Sequence, residues 1–159
     1  MEEPSSPEVP DEDAPLAAGA RLGKYEIVRR LGAGGMGAVY EAIHTEIGKR
    51  VAIKTLAPAV AAIPGARQRF LREAQLTSRL RHPHIVDLTD IGSEGLTAYL
   101  VMELLSGEDL AHRLKRTGPM TPQELVDLML PVCSALGAAH EAGIIHRDLK
   151  PQNIFLASG

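Results

Sequence analysis

Four glycines crowd into six positions, Gly32, Gly34, Gly35 and Gly37, between two runs of strand-forming residues. Glycine lets the backbone turn sharply and lets a bulky partner come close. A helix interior tolerates such a cluster poorly. Tyr25, Ile27, Val28 and Leu31 before the cluster, and residues 38–43 after it, read as strands, so the cluster is expected to close a hairpin. Residues 50–56 add a third strand, and residues 85–91 and 97–103 two more around the turn at 93–95. Between them, residues 67–81 carry helical periodicity and end before Pro83.

From residue 106 the pattern becomes helical. A short helix is expected over 108–116, ended by Gly118 and Pro119. Thr121-Pro122-Gln123-Glu124 is a capping box with proline at the first helical position. It opens a longer helix, bent at Pro131 and stopped by Gly143, with Cys133 as a small buried residue. Residues 144–156 read as a loop and a short strand. Five strands with one inserted helix, then helices, make an α+β pattern with a sheet-rich half and a helical half.

Residues 1–20 hold six acids, no base and four prolines, a composition that does not favour a packed core and is expected to be a disordered leader. The remaining chain has 17 bases and 14 acids, an excess that suits phosphate ligands but is too small to argue for nucleic acid. No apolar run reaches membrane-spanning length and no signal-peptide pattern opens the chain, so the expected location is cytoplasmic. The single cysteine excludes an internal disulfide, and the histidines show no metal-ligand spacing.

Residues 32–39 fit G-x-G-x-x-G-x-V. Backbone N–H groups in such a turn can face phosphate oxygens. A plain flexible hairpin turn has the same local signature. Dinucleotide-binding folds share the spacing, but there the glycines open a helix and an acid follows about 20 residues on. Here they open a strand, and Lys54 stands near that distance. The strand–turn–strand context favours a lid over ATP phosphates.

Alternation along Val51-Ala52-Ile53-Lys54 puts Ala52 and Lys54 on one face, a small residue beside a cation, with room for a flat ring that Val39 could cap. Lys54 could instead snorkel out at the strand end. In the following helix Phe70, Glu73, Thr77 and Leu80 share a face, which sets Glu73 in an apolar stripe where a charge is costly unless paired. Lys54 is its expected partner, although surface partners remain open to it.

The most specific run is His146-Arg147-Asp148-Leu149-Lys150-Pro151-Gln152-Asn153, which fits H-R-D-x-x-x-x-N throughout. Asp148 can orient a hydroxyl and accept its proton. Lys150 can neutralise charge on a γ-phosphate, and Asn153 can offer a carbonyl oxygen to Mg²⁺.

With these three motifs in order, residues 25–159 resemble the eukaryotic-like (Hanks-type) serine/threonine protein kinases of bacteria. Residues 31–40, Arg72-Glu73-Ala74, residues 80–86 and Tyr99-Leu100-Val101-Met102-Glu103 carry the likeness. The resemblance implies a protein-kinase-like fold: a five-stranded antiparallel N-lobe sheet with one helix over 21–103, and an incomplete helical C-lobe over 104–159. It implies Asp148, Lys150, Lys54 and Glu73 as the catalytic set, with Lys54 paired to Glu73, and Asn153 on Mg²⁺. ATP would be cradled by Leu31, Gly32, Ala33, Gly34, Gly35, Met36 and Gly37. Val39, Ala52 and Phe155 would sandwich adenine, Met102 would stand as gatekeeper, and Glu103 to Leu105 would form the hinge. Lys150 favours Ser/Thr in protein substrates, and Arg147 implies control by activation-loop phosphorylation in the complete enzyme.

The chain stops in what should be the turn after the catalytic loop, and no Asp-Phe-Gly occurs. Two readings follow. The chain is an N-terminal fragment of a Ser/Thr kinase, or it is a non-catalytic nucleotide-binding or regulatory remnant lacking the Asp-Phe-Gly metal site. In either case the stripe Leu125, Leu128, Val132 and Leu136 is expected to lack its cover. Oligomeric state is not legible.

Overall fold

The computed structural model describes residues 15–158, so most of the acidic leader expected over 1–20 lies outside the described residues. β1 (Arg21–Leu22) and β2 (Tyr25–Gly34) form a hairpin, and β2 turns through Gly35-Met36 into β3 (Gly37–His44) and then β4 (Arg50–Leu56). One helical turn, α1 (Pro58–Ala61), precedes α2 (Ala66–Thr77). β5 (Leu88–Glu94) and β6 (Thr97–Glu103) complete an antiparallel sheet of order β1-β2-β3-β4-β6-β5. Six strands stand where five were expected, the sixth being the two-residue β1. β5 starts later than expected because Ile85 turns back to donate to the His82 carbonyl and the Asp87 N–H is taken by the Glu103 carboxylate.

β7 (Gly107–Asp109), α3 (Leu110–Thr117) and α4 (Pro122–Glu141) follow, then a 3-10 turn at Pro151–Asn153 and β8 (Phe155–Ala157), which pairs with β7. Asp109 caps α3 by accepting from the His112 N–H at 2.9 Å. The capping box at Thr121 and Glu124 forms as expected, and α4 continues through Pro131. Cys133, expected to be buried, is exposed. On α4 Leu125, Val126 and Leu130 are half or more exposed, while Leu128, Val132 and Leu136 are partly covered. No helix of the described residues is long and apolar enough to cross a membrane.

The pleat of the sheet sorts its residues. Leu22, Tyr25, Ile27, Tyr40, Ala42, Val51, Ile53, Tyr99 and Val101 form the core. Their neighbours in sequence face the other way. Leu16 and Ala20, assigned by composition to the leader, pack against this core. The Leu16 N–H donates to the Tyr40 hydroxyl, and the Gly19 N–H to the Ile27 carbonyl at 2.8 Å. Two apolar side chains suffice here because the core offers them a ready surface.

The two ends of the strand order meet. Lys24 Nζ lies 3.1 Å from Asp90 Oδ2, the Tyr25 hydroxyl donates to the same oxygen at 2.9 Å, and the Gly23 N–H donates to Glu94 Oε2. The sheet is therefore curled until β1 and β2 reach β5. Tyr99 fits inside the curl because Gly92 has no Cβ; one placed there would lie 2.5 Å from the ring. Burial alone would push the Asp90 carboxyl up, but hydrogen bonds from Tyr25, Lys24 and the Ile91 N–H outweigh it and hold it below its ordinary value. A depressed carboxylate contributes stability above its unfolded pKa and loses that contribution as pH falls through the folded one. Asp90→Asn is expected to cost roughly 1–3 kcal/mol in urea unfolding at pH 7. The deficit should shrink in acid, below about pH 4; an unchanged deficit at pH 3 would contradict the clasp.

Candidate functional site

The glycine cluster is narrower as a turn than its composition suggests. β2 stays extended through Gly34, so only Gly35 and Met36 bridge to β3. The glycines also divide by role. A Cβ at Gly37, whose φ is 152°, would sit 1.8 Å from the Thr55 carbonyl oxygen, and the Met36 carbonyl accepts from the Ala57 N–H at 3.0 Å. Gly37 is thus demanded by the chain itself. A Cβ at Gly32, Gly34 or Gly35 would meet nothing within 4 Å. Those three leave bare backbone on an open side, a surface that fits close approach of an anion. Leu31 and Met36 are exposed beside it, with Ala33 on the same stretch.

The register then builds one wall. Val39 pairs with Lys54, and Lys54 with Leu100; Glu41 pairs with Ala52, and Ala52 with Met102. Directly opposed residues share a face, so Val39, Ala52, Lys54, Leu100 and Met102 stand together on the side opposite the core. Glu41 joins them, and the sequence reading missed it. It is fully buried under Arg29, whose Nε is 2.8 Å away, and Arg50, whose Nε is 2.7 Å away. The Arg50 hydrogen bond holds the Glu41 carboxyl below its ordinary range, with Arg29 adding to the effect against the pull of burial. Alternation along β3 placed Glu41 on this face, but only the flanking strands supply its two arginines.

Glu73 is not where the helical stripe placed it. It is exposed, and no carboxylate of the described residues lies within salt-bridge reach of Lys54. The expected Lys54–Glu73 ion pair is therefore not formed in this structure. Ala66 and Ala74 are the buried positions of α2, with Phe70 and Thr77 beside them. The helix docks through Ala66 and Ala74 with Phe70 and Thr77 between them, so the buried face covers only one edge of the stripe expected and leaves Glu73 turned outward.

At the end of β6, Met102, Glu103 and Leu105 are half-buried. Glu103 and Asp87 are doubly joined: the Glu103 N–H donates to the Asp87 carbonyl at 3.1 Å, and the Asp87 N–H to Glu103 Oε1 at 2.8 Å. Phe155, 41% exposed, lies opposite Asp109 in the β7–β8 pair. A Cβ at Gly107 would lie 2.0 Å from the Leu156 carbonyl oxygen, so glycine there lets β8 close on β7 and fixes where the preceding loop ends.

That loop brings Asp148, Lys150 and Asn153 together. Lys150 Nζ is 2.8 Å from Asp148 Oδ2. Asn153 Nδ2 donates to the Asp148 carbonyl at 2.7 Å and to its Oδ2 at 3.1 Å. The Lys150 ammonium, aided by the Asn153 amide, holds the Asp148 carboxyl below its ordinary range, so Asp148 is an ionised acceptor at neutral pH. Asn153 uses its amide nitrogen inward, which leaves its oxygen available to a hard cation. Among the described residues no cluster of three or more His, Cys, Asp or Glu side chains could hold a metal.

Residues 25–159 match the protein kinase domain family. The chain is 44% identical over 138 residues to the serine/threonine-protein kinase PknH of Mycobacterium bovis, covering 87% of this chain and 23% of PknH. It is 43% identical over 139 residues to PknA of Mycobacterium tuberculosis, covering 84% of this chain and 32% of PknA. The chain therefore spans between a fifth and a third of the length of these relatives. The kinase domain of Mycobacterium tuberculosis PknI, in a double-mutant crystal structure, superposes with a TM-score of 0.85 at 34% identity, over 92% of this chain and 58% of that one.

The split among the glycines is measurable. Gly37→Ala is expected to destabilise the fold by roughly 1–3 kcal/mol through backbone overpacking. Gly34→Ala should stay within about 0.5 kcal/mol of the parent. Equal melting temperatures for the two variants would contradict the assignment of Gly37 to the fold and Gly34 to the open side.

Proposed function

This chain belongs to the protein kinase family, among serine/threonine kinases, and from that premise we propose that it is the nucleotide lobe and catalytic loop of an enzyme that transfers the γ-phosphate of ATP to Ser and Thr hydroxyls of proteins. The observation that carries the reading is the Asp148–Lys150–Asn153 network, an ionised carboxylate with a cation and an amide already placed on it.

ATP with Mg²⁺ supplies the phosphoryl group and most of the charge neutralisation. In this reading the bare backbone at Gly32, Gly34 and Gly35 lies against the phosphates, with Leu31, Ala33, Met36 and Gly37 completing the cradle. Val39, Ala52 and Phe155 flank the adenine, Met102 backs it, and main-chain groups of Glu103 and Leu105 hold its edge. Lys54 meets the α- and β-phosphates, and α2 must turn Glu73 inward to brace it. Asn153 holds Mg²⁺. Asp148 orients the substrate hydroxyl and takes its proton, while Lys150 steadies the γ-phosphate.

The alternative, a nucleotide-binding module without turnover, is favoured by one observation, the outward Glu73. Phosphate transfer from ATP to a Ser/Thr peptide, measured on the full-length protein, separates the two. Asp148→Asn is expected to lower kcat roughly 10²–10⁴-fold while ATP still raises the melting temperature. A parent protein that binds ATP but leaves the peptide unmodified would favour the alternative.

A further inference from the structure

Glu41 is a buried carboxylate that the phosphate-transfer chemistry does not use. Its side chain has no exposed surface, while the two arginines on it, Arg29 and Arg50, keep 64% and 62% of theirs. Two exposed cations converge on one enclosed anion, on the face of β3 that also carries Val39.

The register of β2 records how Arg29 reaches that face. Tyr25 and Ile27 point into the core, and plain alternation would send Arg29 there as well. Instead the register shifts between Ile27 and Arg29, and Arg29 stands opposite Glu41. A second shift lies between Arg30 and Gly32, which stands opposite Val39. Each shift adds one residue to β2 against β3, Val28 in the first and Leu31 in the second. Extra residues of this kind bend a strand and re-aim its side chains. The glycine backbone therefore leaves the core half of β2 through two bends, with only Arg29 and Arg30 between them.

Of those two residues, Arg29 carries the side-chain anchor among the described residues. Its Nε donates to Glu41 Oε2 at 2.8 Å, and Glu41 Oε1 accepts from Arg50 Nε at 2.7 Å. The far end of the glycine turn is tied too. The Met36 carbonyl accepts from the Ala57 N–H just past β4, and Gly37 lies against the Thr55 carbonyl. Between these ties a Cβ at Gly32, Gly34 or Gly35 would meet nothing. The height of the turn over β4 is thus set from its ends and not by its own packing.

We propose that Arg29 and Glu41 are a positioning pair for a nucleoside triphosphate: their ion pair holds the base of the glycine turn over the wall of Ala52 and Lys54, at the height where bare backbone meets phosphate. Arg50 has the separate task of keeping the buried carboxylate paired. The inference rests on the nucleotide reading for the ligand, but the hold on the turn is testable without it.

The test compares Arg29→Met, Arg29→Lys and Arg50→Met in the full-length protein. Each leaves Glu41 with at least one arginine, so none abandons a buried charge. The two Met variants delete equally exposed cations from the same carboxylate, which makes Arg50→Met the control for a purely structural role. In Arg29→Met, amide exchange over residues 31–37 is expected to quicken roughly five- to tenfold, as befits a lost charge-assisted hydrogen bond, with residues 50–56 unchanged. The affinity for ATP should fall by a similar factor while that for adenosine, which lacks phosphates, stays within about twofold. Arg29→Lys should restore part of both effects, and Arg50→Met should show neither. Equal behaviour of the two Met variants, or equal loss of ATP and adenosine binding in Arg29→Met, overturns the proposal. If the parent protein binds neither nucleotide, the kinase reading fails by itself, and the exchange contrast still decides whether Arg29 holds the turn.

Discussion

Ile53 has no exposed surface, and Lys54, the next residue, stands on the opposite side of the same strand. That one-residue reversal is the constraint on which the sheet half depends. The register that seats Ile53 beside Tyr40 and Val101 also sets Lys54 beside Val39 and Leu100. A slip of one position would exchange the two faces. It would bury Lys54 without a partner and expose Ile53 and Val51, so the apolar core enforces the geometry of the wall that carries Lys54 without touching it.

The curl of the sheet works in the same direction. Lys24, Tyr25 and Asp90 join strands that lie at opposite ends of the hydrogen-bonded order. Glu41 draws Arg29 from β2 and Arg50 from the start of β4 onto one buried carboxylate. Both sets are polar and both are satisfied; no buried side-chain polar atom of the described residues lacks a partner. A buried charge left alone is strongly destabilising, so these groups select a single curvature. The helical half has no such enclosure among the described residues: α4 keeps Leu125, Val126 and Leu130 exposed, and the loop of Asp148 is ordered by its own hydrogen bonds and by the β7–β8 pair.

Spacing and chemistry made much of this legible. The glycine cluster implied a hairpin, the capping box at Thr121 announced α4, and the run from His146 to Asn153 named the residues that form the loop network. The resemblance carried by those motifs agrees with the family match. Less legible were features that depend on which surface is met. Residues 15–20 read as leader because two apolar side chains look negligible until a core receives them. The two-residue β1 is too short to announce itself in any pattern.

Local rules are enough where a residue answers to its own backbone or its own functional group, and there the sequence by itself determined the outcome: where the chain turns, which strands alternate, and which acid, base and amide sit within one loop. Tertiary structure alone decided the rest. Rotation of α2 about its axis has no local cost, so Ala74 packing against the sheet, and not the periodicity, sent Glu73 outward. Positive φ at Arg147 is locally unfavourable for a residue with a Cβ, so it too answers to the folded surroundings and not to the local sequence.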